Sequence, residues 1–239
     1  AEVGAFAVGR LAVVWALLVA GLLAAAGVQR RAGRAHAPLS GRPAAPRLFP
    51  ALPAWLEGAF LVAWLVAAGW LFFRPHEYVL GAADAGVYVS LGASIAREGS
   101  IVVQDETLAG LDTALYDTLL RPMSDNPIAP RYLLPGFYVV GQPPGEITPQ
   151  FYPLHPVWLA VAFGLVADTG APTTEAIRAE LLMNGLWATL GALAVYFTVR
   201  QFAGWGTAAL ALVALSLTGL QVWFARYPTT EVLTQYMLW

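Results

Sequence analysis

The apolar residues of this chain run in unbroken blocks rather than in an amphipathic period. Residues 11–28 carry no charge, 52–73 is interrupted only by Glu57, 181–199 lies between Glu180 and Arg200, and 201–225 holds Trp205 and Trp223 near its ends. Each block is close to the roughly 20 residues that a helix needs to cross a bilayer, so four transmembrane helices are predicted. The two tryptophans are spaced like aromatic belts at the two surfaces of one straight helix. The small-residue run 24–26 also suits signal cleavage, but the first block is longer than a signal core of about 7–15 residues. A retained helix is therefore expected. Residues 157–167 are apolar but confined between Pro156 and Asp168, a length that predicts a re-entrant or interfacial helix. Residues 232–239 read as the start of a further span, and with Ala1 in first place the chain is expected to be a piece of a longer protein.

Charge adds direction to this pattern. Charged residues make up 12% of the chain, about half the complement of a soluble domain, and every one of the 13 cations is arginine. That composition excludes a soluble nucleic-acid binder, a disordered tail and a coiled coil, and makes the lipid bilayer the first partner. Without cysteine there is no disulfide, thiolate metal site or cysteine nucleophile. The linker 29–49 holds Arg30, Arg31, Arg34, Arg42 and Arg47 and no acid, which makes it cytoplasmic by the positive-inside rule. The long segment at about 74–177 then lies outside; it is acidic, and its prolines predict an irregular surface with short interfacial helices. If 157–167 does not cross, the third span runs inward to Arg200, and the fourth returns Arg226 and Glu231 to the side of Asp84. The expected fold class is all-α and polytopic. Residues 1–49 form an extra helix with a basic linker, and 50–239 form a transmembrane module of a multi-pass cell-membrane protein.

Few residues offer chemistry. Asp84 stands just before the stripe Val87, Leu91, Ile95, which predicts a short helix ending near Gly99. Its carboxylate is either the N-cap of that helix or a base or metal ligand at the membrane surface. In Phe151-Tyr-Pro-Leu-His-Pro156 two prolines make a rigid turn, and His155 is either structural, a metal ligand or a phosphate contact. Arg178 either snorkels to the interface or pairs its fork with a lipid phosphate. Glu231, beside a new apolar run, must be solvated, paired with Arg226 or coordinating. No P-loop, dinucleotide fingerprint, metalloprotease helix or nucleophile elbow is present.

In order along the chain, Asp84-Ala-Gly-Val-Tyr88, the Tyr-Pro-Leu-His-Pro turn, Arg178-Ala-Glu-Leu-Leu-Met-Asn184, Val199-Arg200-Gln-Phe and Trp223-Phe-Ala-Arg226-Tyr-Pro-Thr-Thr-Glu231 resemble a known pattern. It is that of the N-terminal module of the C-type membrane glycosyltransferases, in the branch of the protein O-mannosyltransferases and aminoarabinose transferases. The resemblance covers about 52–239. It implies a polyprenyl-phosphate sugar donor and transfer with inversion to an acceptor (protein, lipid or glycan) at a site facing the extracytoplasmic side. It further implies Asp84 and Glu231 as catalytic acids, with Tyr88, His155, Arg178 and Arg226 on the substrate side. A divalent metal on Asp84 and Glu231 is the cofactor found in several branches; Ala85 stands where many relatives carry a second acid. Two other classes compete: a transporter or channel piece whose acids line an ion path, and a non-catalytic membrane partner that presents the acidic loop.

Overall fold

The computed structural model describes Phe49 and residues 53–77, 83–123, 132–139, 144–167 and 173–239. The predicted span at 11–28 and the basic linker lie outside the described residues. The chain is mostly helical. Helix α1 (Ala54–Phe72) is apolar all round and turns the stripe Trp64, Ala68, Phe72 inward. Helix α2 (Ala83–Glu98) follows, its inner stripe Val87, Leu91, Ile95 buried as the spacing predicts, and Gly99 ends it at φ +69°. A second group of helices closes the chain: α5 (Leu154–Val166), α6 (Thr174–Ala203), α7 (Trp205–Leu217), α8 (Gly219–Arg226) and α9 (Glu231–Leu238). Thr173 caps α6 by accepting from the Ala176 N–H at 3.1 Å, and Gly204 at φ +84° stops it.

Helices α1 and α6 are long and apolar enough to cross a membrane, and α7 with α8 adds a third if the bent pair is one span. The two long helices are antiparallel. Glu57 pairs with Arg200 at one end, while at the other a Cβ on Gly185 would meet the Phe72 carbonyl oxygen at 3.1 Å. The segment between them, α5 included, therefore leaves and re-enters at the same end of the pair. Trp64 Nε1 donates to Ser216 Oγ at 3.0 Å, and the His76 N–H donates to the Arg226 carbonyl at 2.8 Å, so α7 and α8 return alongside α1. Ala188, Ala192 and Ala208, all fully buried, let the backbones approach closely.

Two expectations need correction. The block 201–225 is not one straight helix: it breaks at Thr218, and α7 and α8 meet at 63°. Ser216 Oγ and Thr218 Oγ1 donate back to the Leu212 and Ala214 carbonyls, and Gly219 follows, a combination that bends helices. Nor is the chain all-α. The acidic segment folds into a five-stranded antiparallel sheet: β1 (Val103–Gln104), β2 (Arg121–Pro122), β3 (Tyr132–Leu134), β4 (Phe137–Val139) and β5 (Glu146–Pro149), in the order β1-β5-β4-β3-β2. Two one-turn helices, α3 (Glu106–Ala109) and α4 (Tyr116–Leu119), lie between β1 and β2. Pro135-Gly136 turns β3 into β4 with Gly136 at φ +84°, the residue pair that a type II turn requires. A Cβ on Gly136 would overlap the Val87 side chain, so the hairpin tip is seated on α2. Leu108, Tyr116, Leu120, Val139 and Ile147 close a small core of their own beneath the sheet.

Candidate functional site

Asp84 occupies the exposed first turn of α2, where a carboxylate is favoured by the helix dipole. One turn on, Tyr88 is buried, its ring edge-on to His155 at 5.4 Å and tilted against Phe151 at 5.4 Å. Burial pushes the Tyr88 phenol up, and the Asp84 and Glu231 carboxylates push it the same way, while a hydrogen bond with Thr230 opposes them. The phenol is therefore a neutral group at pH 7. The start of α2 and the start of α9 thus both lie within electrostatic range of this hydroxyl. Glu231, like Asp84, is exposed.

The turn that carries Glu231 is built from α6. Phe224 would offer its helical carbonyl to residue 228, but that residue is Pro228, which has no N–H. The buried Asn184 side chain supplies the donor instead. Its Nδ2 reaches the carbonyls of Phe224 at 3.1 Å, Tyr227 at 2.6 Å and Thr229 at 2.9 Å. Arg226 does not pair with Glu231. Its Nε donates to the Leu71 carbonyl at 2.8 Å, which ties the end of α8 to the end of α1 and leaves Glu231 unneutralised by this arginine.

His155 is enclosed beneath Tyr88 at 1% exposure, and burial pushes its imidazole down to about 3. Neither ring nitrogen has a protein partner. In this structure the imidazole walls the Tyr88 ring from beneath. Arg178 is exposed in a cleft of about 430 Å³, whose other charged groups are Arg74 and Glu77. The Arg74 guanidinium lies over the Trp70 ring at 4.4 Å. Ile177 and Leu181 line this cleft and also pack into the cluster around Tyr88, so one layer of side chains separates the two arginines from Tyr88.

Sequence reasoning missed Arg74 as a partner of Arg178, and it treated Glu180 as a boundary charge. Glu180 is fully buried with no partner for either oxygen, and a Cβ on Gly92 would stand 2.6 Å from its Oε1. A metal is not supported by the donor set. Among the described residues no three His, Cys, Asp or Glu converge on one point, and Ala85, where a second acid would stand, is wholly buried. Comparison with known proteins returns no matching family model, no similar curated protein and no similar solved structure.

Proposed function

We propose that the chain belongs to a membrane glycosyltransferase that moves a sugar from a polyprenyl-phosphate donor to an acceptor hydroxyl on the extracytoplasmic face. The observation that supports this reading is geometric: Arg74 and Arg178 share one cleft at the end of the helix pair where the exposed Asp84 and Glu231 both lie in electrostatic range of Tyr88. One of the exposed carboxylates takes the acceptor proton as the acceptor oxygen bonds to the anomeric carbon. The bond from that carbon to the phosphate oxygen breaks, and the electron pair leaves with the polyprenyl phosphate. The guanidinium forks of Arg178 and Arg74 receive that charge. Attack opposite the departing phosphate inverts the anomeric centre. Tyr88, neutral and hydrogen-bonded with Thr230, fixes the turn beside Glu231 rather than acting as the base. No step is routed through a metal.

The test is sugar transfer by the full-length protein in proteoliposomes, with a radiolabelled polyprenyl-phosphate sugar. Asp84→Asn and Glu231→Gln are compared with wild type. The acid that serves as base loses at least about a hundredfold in turnover. Unchanged turnover in both variants removes the two carboxylates from the reaction.

A further inference from the structure

A second cleft, of about 430 Å³, opens between the later half of α2 and the β1 edge of the sheet. We propose that it binds an uncharged glycan and serves as the acceptor subsite. This proposal rests on the transferase reading for its role, though not for its binding chemistry. Its volume lies within the range of small-ligand clefts, roughly 300–1,000 Å³. Its rim carries Ser90, Arg97 and Glu98 from α2 facing Gln104 and Glu106 from the sheet side, all of them exposed, and half-buried Phe137 contributes to its lining. Hydroxyl, guanidinium, carboxylate and amide groups thus line the cleft, with the partly exposed Phe137, otherwise packed into the neighbouring cores, at its side, which matches the hydroxyls of a sugar.

The same lining argues against other ligands. Arg97 is outnumbered by Glu98, Asp105 and Glu106, so a phosphate or uronate is repelled. An extended peptide would have to add to the β1 edge, but β1 is two residues long. The flanking N–H groups are already used, Val102 by Ser100 Oγ at 3.0 Å and Asp105 by the Gly145 carbonyl at 2.8 Å. Ser94 lies ten residues beyond Asp84 on the same helix, or about 15 Å along its axis, which suits a short oligosaccharide spanning both places.

The experiment is saturation-transfer NMR on the full-length protein in nanodiscs, without donor. The probes are gluco-, galacto- and manno-configured disaccharides, a diuronate, and a serine/threonine-rich peptide. At least one neutral disaccharide is expected to saturate, about tenfold more weakly in Arg97→Gln or Glu106→Gln and equally well in Arg121→Gln at the far edge of the sheet. No saturation by any neutral sugar, unchanged affinity in both rim variants, or displacement by the peptide overturns the proposal. Saturable binding in a protein that transfers no sugar would sink the transferase reading alone. Transfer without such binding would sink the subsite alone.

Discussion

Asn184 is the residue whose loss tests most sharply how the site is assembled. It is wholly buried, and its amide donates to three backbone carbonyls of the turn that ends in Glu231. Asn184→Leu removes the donor at similar size. Asn184→Asp keeps the shape but aims an oxygen at acceptors 3.1, 2.6 and 2.9 Å away. Two N–H donors shared among the three carbonyls, at roughly 0.5–1.5 kcal/mol each and with buried carbonyls left unsatisfied on their loss, give about 3 kcal/mol for the leucine variant. The aspartate variant loses more, since its oxygen repels the carbonyls it replaces contact with. For a chain of this length about 3 kcal/mol lowers the unfolding midpoint by roughly 6–12 °C. Thermal unfolding in detergent, followed by tryptophan fluorescence, reads this, with Trp223 against Tyr227 of the turn among the reporters. The order of stability is wild type, then leucine, then aspartate. A leucine variant as stable as wild type would refute the claim that α6 holds the turn.

Three further outcomes follow from the same geometry. The folded-state pKa of His155 lies below its ordinary 6.5, so as pH falls the unfolded chain takes up the proton first. Its share of stability is present above about pH 6.5 and is lost toward pH 3, at about 1.4 kcal/mol per unit. Wild type therefore loses roughly 2 kcal/mol between pH 6.5 and 5 from this group, and His155→Phe flattens that slope; equal slopes contradict it. Glu180→Met removes a buried carboxylate without a protein partner and is expected to raise stability by about 1–3 kcal/mol, measured by the same unfolding assay. A fall would reveal a partner for Glu180 that the fold does not display. Arg74→Gln and Arg178→Gln are each expected to raise the apparent KM for the polyprenyl-phosphate donor about tenfold; an unchanged KM in both removes the cleft from donor binding.

What the sequence made legible was whatever hydropathy or a helical stripe encodes. Helices α1 and α6 follow from blocks of bilayer length, and α2 from Val87, Leu91 and Ile95 closed by Gly99. The bend at Thr218 was invisible to hydropathy because Ser216, Thr218 and Gly219 barely alter the average over the block. The local signal was there in the hydroxyls that bond back one turn. The sheet escaped because its strands are two to four residues long, too short to establish alternation. Only Pro135-Gly136 between two apolar triplets marked it. Asp84 and Glu231 were legible as acids at helix starts. Arg74, Glu180 and Asn184 were not, since their meaning lies in contacts between elements. Pro228 was the one hint for Asn184: a helix carbonyl that loses its N–H must find another donor.

The central claim is that Asp84 and Glu231 share one site on the outer face of the membrane. These 239 residues contain no cysteine, so Asp84→Cys and Glu231→Cys supply their two thiols, any cysteine elsewhere in the full-length protein being changed to serine first. A membrane-impermeant bifunctional maleimide about a nanometre long is added to sealed, right-side-out vesicles carrying the full-length double variant. The account predicts an intramolecular cross-link formed from the outside alone. Both thiols reacting without a cross-link, or either thiol reacting only after the membrane is opened, would contradict it.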